Sequence, residues 1–390
     1  MKKVLIFSLA YYPHVGGAEV AMKEITDRIS DIEFHMVTLN FEGEAREEKI
    51  GNVFVHRVGS GSSYLSKILF VPRAAYAARS LHTTYRFDVF WAMMSYMLFP
   101  IVLLRFFGVR VPYLLTLQEG DTFAHMFSRW FILPLRPLLS IGFRNASAIQ
   151  TISTYLAGWA RQIGFAGPLF VVPNGVDTAH FSASYPESEI NDIKDTLGKK
   201  MGDVFLITTS RLVRKNAADD VVRALPLLPQ NVFFIILGIG PDEAMLKQLA
   251  GKLNVTTRVK FVGQIGHDTL PKYLKASDIF IRPSRSEGMG NSFVEAMAAG
   301  LPVIATQEGG IADFLFDEKR NPGVPITGWA VSKDAPHEIA DVVKDVMART
   351  EKTRAVIATA RTMVSEKYDW NLIARDMREK VFKLLLTESE

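Results

Sequence analysis

The stretch "VVPNGVDTAHFSASYPESEI", Val171 to Ile190, decides the fold. Its Pro, Asn, Gly, Asp and Ser residues interrupt a rhythm that otherwise runs along the chain: a short apolar run, a helical period, another apolar run. Upstream lie "KVLIFSLA" (3–10), "EFHMVTL" (33–39), "VFVHRV" (53–58), "VFWAM" (89–93), "YLLTLQ" (113–118) and "AIQTIS" (148–153). Downstream lie "VFLITTS" (204–210), "VFFIILG" (232–238), "VKFVGQI" (259–265), "IFIRPS" (279–284) and "PVIAT" (302–306). Runs that are apolar without alternation suit parallel strands covered by helices on both faces. The break therefore predicts two doubly wound α/β domains, residues 1–180 and 181–370. The segment 371–390 is expected to be helical, and packing back on the N-terminal domain is one of its two options.

Composition narrows the class. The chain has 390 residues, 48% hydrophobic and 22% charged, which fits folded domains and excludes a disordered chain. It has no cysteine, so no disulfide framework or thiolate metal site can form, and a cytoplasmic location is compatible. The opening "MKKVLIFSLAYYPHVGG" imitates a signal peptide, but its apolar run is short and lacks a small-residue cleavage pattern, so a buried first strand is expected. The most membrane-like stretch, "MMSYMLFPIVLLRFFGVRVPYLL" (93–115), is cut by Arg105 and Arg110 and does not read as a span.

Net charge is only +4, but it is unevenly distributed. Lys67, Arg73, Arg79, Arg86, Arg105, Arg110, Arg129, Arg136 and Arg144 face only Asp88, Glu119 and Asp121 between Arg57 and Arg161. Aromatics and leucines alternate with these cations, as in "SRWFILPLRPLLSIGFR" (128–144). Two readings stand: core helices with snorkelling arginines, or a basic amphipathic surface resting on anionic lipid at the inner face of a membrane. No recognised motif accompanies the charge, so nucleic acid is not expected as a partner.

Ligands of doubly wound sheets sit beyond the carboxyl ends of strands, and the unusual residues of this chain follow strands. "SEGMGNSFVE" (286–295) puts Glu287 and Glu295 around Gly288 and Gly290, between a strand and a helix expected from Phe293 to Ala299. Ser292 and Glu295 on their own read as a capping box. The glycines let backbone approach a ligand, and bare N–H groups favour an anion, while flanking carboxylates suit hydroxyls. A nucleotide sugar offers a diphosphate between two polyols. "TSRLVRKN" (209–216) supplies Arg211, Arg214 and Lys215 for that diphosphate. "YYPHVGGAEVAMKEI" (11–25) brings Gly16 and Gly17 to a helix N-terminus, and "LGIGPDEAML" (237–246) lacks the third glycine of a dinucleotide fingerprint.

Together these residues resemble the retaining glycosyltransferases of family 4. "SEGMGNSFVEAMAAGLPVIAT" resembles their E-x7-E signature, "VVPNGVDTAHF" their interdomain segment, "SRLVRKN" their phosphate motif and "GIGPDEAMLKQLA" a helix start. The resemblance implies a GT-B fold, two Rossmann-like domains facing an interdomain cleft, with the donor held mainly by the C-terminal one and the acceptor by the N-terminal one. It implies a hexosyl transfer from a nucleoside-diphosphate sugar with retained configuration, without metal or other cofactor, in glycan or glycolipid synthesis. By position, Glu287, Arg211 and Lys215 are the catalytic set. Donor contacts are expected at Gly16, Gly17, Arg211, Lys215, Glu287, Gly288, Met289, Gly290, Asn291, Ser292 and Glu295. Gln118 stands where many members have a histidine, so Gln118, Glu119 and Asp121 are the acceptor candidates. A gap-free match puts Asn216 rather than Lys215 at the family's lysine. Two alternatives stay open: a sugar-nucleotide epimerase of the same architecture, and a non-catalytic relative that binds a nucleotide sugar.

Overall fold

A computed structural model describes residues 1–348 and 350–387. The chain divides into two compact units, Met1–Asn174 with the segment from Trp370 onward, and Gly175–Asp369.

The first unit is built on an eight-stranded sheet of β1 (Lys2–Phe7), β2 (Ile32–Leu39), β3 (Glu47–Ile50), β4 (Val53–Val58), β5 (Val89–Met93), β6 (Tyr113–Leu117), β7 (Ala148–Thr151) and β8 (Leu169–Val171), in the order β3-β4-β2-β1-β5-β6-β7-β8. All pairs are parallel except β3 with β4. Every residue of β5 and β6 is buried, as helices on both faces require. The edge strand β3, "EEKI", is largely exposed and charged, a composition that discourages edge-to-edge pairing.

The second unit has a six-stranded, wholly parallel sheet of β9 (Val204–Thr209), β10 (Val232–Leu237), β11 (Val259–Gly263), β12 (Ile279–Arg282), β13 (Val303–Ala305) and β14 (Trp329–Ala330), ordered β11-β10-β9-β12-β13-β14. Both units are thus Rossmann-like, doubly wound α/β domains. In each, the chain builds outward from its first strand, then returns to that strand's other side. The turning points lie between β1 and β5, and between β9 and β12. Adjacent loops diverge there at the carboxyl edge and leave a crevice.

The segment beyond Trp370 belongs to the first unit's core. Phe382 packs edge-on against Trp91 at 5.2 Å and against Phe34 at 5.9 Å. Met377, Val381 and Leu385 join the same cluster as Val4, Ile6 and Met22. Each such buried side chain contributes roughly 1.5–3 kcal/mol of transfer free energy. The stretch 93–115 that imitated a span is a strand end, a short turn, the helix Leu98–Phe106 and the entry to β6. No described helix is long and apolar enough to cross a membrane.

Candidate active site

The acidic turn follows β12 at the turning point of the second sheet. Its helix begins at Asn291, earlier than expected, and Gly290 takes the N-cap position with φ 91°. A side chain there would strike the Phe293 ring and the Arg282 guanidinium, so glycine is required. Gly300, with φ 87°, closes the helix. The Ser292–Glu295 capping box does not form. Ser292 Oγ instead accepts a hydrogen bond from Arg282 Nη1 at 2.8 Å.

Arg282 organises the site, and the sequence reading had not picked it out. It is 6% exposed at the end of "IFIR". Nη2 donates to Glu287 Oε2 at 2.8 Å, Nη1 donates to the Thr209 carbonyl at 3.2 Å, and the guanidinium lies 4.2 Å from the Phe293 ring centroid. Burial pulls its pKa below the ordinary value, and the Glu287 and Glu295 carboxylates oppose that shift. The available signal was a lone cation ending an otherwise apolar strand, since a buried charge must be paired.

Glu287 spends one oxygen on Arg282, while Oε1 meets no protein donor among the described residues. The turn is pinned from behind. The Glu287 carbonyl accepts from Gly310 N at 3.1 Å, and a Cβ on Gly309, whose φ is +63°, would lie 1.9 Å from that carbonyl. The N–H groups of Gly288, Met289 and Gly290 find no acceptor among the described residues. The Met289 side chain is buried, so only its backbone can face a ligand. Glu295 lies one helical turn on, with His267 Nε2 at 3.6 Å.

The loop after β9 meets the same crevice. Arg211 is exposed, and its guanidinium pairs with no described residue. Asn216 is 7% exposed, and its amide donates to the Arg211 carbonyl at 2.7 Å. That bond makes Asn216 a brace of the turn. Lys215 is half-buried beside it, and its carbonyl accepts from Arg285 N at 2.6 Å. Arg285, also unanticipated, clamps the two loops together. It bonds Asp219 at 2.9 and 3.1 Å, Asp220 at 2.9 Å, Asp334 at 2.6 Å and the Arg214 carbonyl at 2.7 Å. Gly238 and Gly240 are glycines because the chain itself presses on them. Cβ atoms there would fall 2.0 Å from the Ser210 carbonyl and 2.2 Å from that of Leu212.

The remaining candidates sit at the carboxyl edge of the first sheet. Gly16 caps the helix Gly17–Asp27, and its N–H donates to Glu19 Oε2 at 2.7 Å. Burial raises the Glu19 pKa, opposed by the backbone N–H groups it accepts from. Gln118 is half-buried and accepts from Asn174 Nδ2 at 3.1 Å. Asp121 lies near Arg129 at 3.5 Å and His125 at 3.9 Å. Glu119 differs from the expectation that it faces an acceptor. It is 1% exposed, Oε1 accepts from Ser95 N at 2.6 Å and Ser95 Oγ at 2.5 Å, and Oε2 accepts from Gln118 N at 3.0 Å. A carboxylate so enclosed ties the end of β6 to the turn after β5, and both its oxygens are engaged within the protein.

Loops bearing cations and acids thus meet at the turning point of the second unit's Rossmann-like sheet, and the family follows from comparison with known proteins. Residues 15–180 match the model of Glycosyltransferase Family 4, and residues 189–363 match that of Glycosyl transferases group 1. The chain belongs to the glycosyltransferases of the family 4 type. It is 29% identical over 262 residues to the GDP-mannose-dependent alpha-(1-6)-phosphatidylinositol monomannoside mannosyltransferase of Mycobacterium tuberculosis, a match covering 64% of this chain and 66% of the relative. That match falls just short of two thirds of the relative's length. Among solved structures, sucrose-phosphate synthase from Thermosynechococcus elongatus superposes with a TM-score of 0.83 at 18% identity, over 99% of this chain and 100% of the other. Anabaena HepE in complex with UDP-glucose gives 0.80 at 20% identity, over 98% and 100%. At these identities the structures establish the fold.

Proposed function

We propose that the chain transfers a hexose from a nucleoside-diphosphate sugar to a hydroxyl of a glycan or lipid-linked acceptor, with retention of anomeric configuration. One observation carries this reading. Glu287 is held through one oxygen by a buried arginine while its other oxygen is open, in a turn with unsatisfied N–H groups, and the loop after the neighbouring β9 carries the unpaired Arg211. That pattern suits sugar hydroxyls next to a diphosphate. The mannosyltransferase relative and the UDP-glucose complex of the Anabaena neighbour support the substrate class.

In this reading Arg211 and Lys215 neutralise the diphosphate, the N–H groups of Gly288, Met289 and Gly290 point at the donor, and Glu287 orients the sugar. Glu295 completes the second unit's donor contacts, on the ribose. The acceptor oxygen bonds to the anomeric carbon as the bond from that carbon to the β-phosphate oxygen breaks. The acceptor proton passes to the departing phosphate oxygen on the same face. Preorganised cations and amides stabilise the charge that develops there. No step is routed through a metal or a bound cofactor. Gln118 and Asp121 are the remaining acceptor contacts.

In the same reading the acceptor lies at an anionic lipid surface, with the protein peripheral on the cytoplasmic face. Trp130 (83% exposed), Tyr76 (80%) and Leu65 (64%) stand out from a region rich in arginine. The Tyr64 and Phe131 rings, 5.6 Å apart, join the two segments that carry them. From Thr122 to Val176 the sequence has no acidic residue. Thermal denaturation with uridine, guanosine and adenosine diphosphates and their sugars tests the donor reading, because a ligand of the native state raises its stability. A shift with one base, followed by acceptor-dependent turnover of its sugar, is expected. No shift with any of them overturns the reading.

A further inference from the structure

A second concave feature opens at the carboxyl edge of the first sheet. It is a cavity of about 400 Å³ where β4 ends, and Arg46, Arg57, Gly59, Arg73 and Tyr76 are among its lining residues. Its arginines are not equivalent. Arg57 is 6% exposed and fully engaged: Nη2 donates to the Tyr12 carbonyl at 2.7 Å, and Nη1 donates to the Ala45 carbonyl at 2.9 Å and to the Glu48 carboxylate. It forms the wall. Arg46 and Arg73 are exposed, and neither guanidinium bonds to a carboxylate among the described residues. Gly59, with φ +72°, admits Arg73, because Arg73 Nη1 lies 3.0 Å from where a Cβ would stand.

Of the acids near Arg46 in sequence, Glu44 and Glu48 are committed elsewhere, and the exposed Glu47 makes only a 3.4 Å contact with His56. Glu48 is paired with Arg57, and Glu44 bonds His14 at 2.7 Å and the N–H of Glu42 at 3.0 Å. Two exposed planar forks with no carboxylate partner among the described residues line one hollow, and a tetrahedral oxyanion is suited to accept from both at once. The surroundings narrow the choice further. Leu65, Leu69, Arg73 and Tyr76 follow one another at helical spacing on the helix Tyr64–Tyr85, so an apolar stripe leads along one face to the arginine. Leu65 and Leu69 are exposed. The Tyr12 carbonyl bound by Arg57 belongs to the same β1 loop as Gly16 and Gly17.

We propose that this cavity holds the phosphate group of the acceptor, with Arg46 and Arg73 as its two binding cations. The shared chemistry is a phosphomonoester or phosphodiester, and the apolar stripe favours a lipid headgroup over free phosphate as its source. The inference rests on the transferase reading for the word acceptor, but the binding itself is tested apart from it.

The test is isothermal titration calorimetry of the full chain with inorganic phosphate and, separately, with glycerophosphoglycerol, a soluble headgroup diester. The wild type, the double variant Arg46→Gln/Arg73→Gln and Arg211→Ala are compared. Saturable binding of the diester is expected in the wild type and in Arg211→Ala. It should weaken by about tenfold or more in the arginine double variant, since each lost charge-assisted hydrogen bond is large on this scale. Binding of the diester tighter than that of inorganic phosphate assigns the site to a headgroup. The reverse order assigns it to free phosphate and overturns the lipid source. Equal affinity in wild type and double variant, or no saturable binding of either anion, overturns the site. Failure of the wild type to bind any nucleoside diphosphate would remove the transferase reading and leave this site standing.

Discussion

Arg282 and Glu287, five residues apart, form an ion pair of 2.8 Å in which both side chains are nearly enclosed. Carboxylate and guanidinium depend on each other. The arginine has been taken out of water on the strength of this partner, and the glutamate has its position fixed by a group that cannot move. A residue proposed to orient a substrate is thereby also one that helps hold the second unit together.

Glu287→Ala should therefore do two things. Turnover should fall sharply, and the variant should lose about 3–5 kcal/mol of stability, as when a buried pair is broken from one side. Glu287→Gln keeps a hydrogen-bond acceptor for Arg282 and should recover much of the stability while turnover stays low. Urea denaturation beside transfer assays separates the effects. Near-normal turnover in either variant would remove Glu287 from the site.

Arg211→Ala should behave in the opposite way. The side chain is exposed and unpaired, so the melting temperature should not move. Affinity for the nucleoside diphosphate should drop by about 10- to 100-fold, the equivalent of one or two charge-assisted hydrogen bonds. Calorimetric titration of the diphosphate checks it, and an unchanged isotherm counts against the phosphate assignment.

Glu119→Ala should damage the fold rather than selectivity for the acceptor. It strips acceptors from the N–H groups of Ser95 and Gln118, at roughly 2–4 kcal/mol. The observable is a lowered unfolding midpoint with an unaltered KM for acceptor in the folded fraction. A stable variant with a changed acceptor KM would restore Glu119 to the site.

Asp220 gives a pH signature. Burial, with repulsion from Asp219, pushes its pKa up to about 6 from an ordinary 3.8, against the pull of Arg285. The folded value lies above the unfolded one, so folding takes up a proton. The stabilisation is complete below pH 3.8 and fades as pH rises through about 6. Wild-type stability minus that of Asp220→Asn should decline across this window and level off above it. Chemical denaturation at stepped pH reads it directly, and a flat difference would mean that Asp220 has the same pKa folded and unfolded.

The exposed aromatic region predicts a loss of lipid binding without loss of fold. Trp130→Ser combined with Leu65→Ser should reduce retention by vesicles containing phosphatidylglycerol at low salt, with an unchanged melting temperature. Vesicles of phosphatidylcholine alone should retain neither protein well. Equal retention of wild type and variant on anionic vesicles would set aside the membrane-facing reading.

Long apolar runs were legible in the sequence because their signal is local. "VFWAM", "YLLTLQ", "VFLITTS" and "VFFIILG" all became buried central strands. The strands β3, β8 and β14 carried no such signal. "EEKI" is a charged edge, and "WA" is a two-residue strand at the end of a sheet; both owe their conformation to the neighbour they pair with. The same division holds at the site. Glycines and acids in a turn advertise themselves, which is why Glu287 and Gly290 stand out as candidates from sequence alone. Arg282 and Arg285 act through partners brought near by tertiary folding, and the enclosure of Glu119 by Ser95 is not legible in the sequence because it depends on a contact across 24 positions.

The second unit is an insertion within the first, since the chain leaves the first unit after Asn174 and rejoins it at Trp370. During synthesis the first sheet emerges early, but the side of its hydrophobic interior that Phe382 and Met377 seal stays open until the ribosome has delivered everything between. The inserted unit has all its parts in one continuous run and can mature while its host waits. A nascent chain halted before Trp370 should thus carry a protease-resistant inserted unit and a host still vulnerable to cleavage.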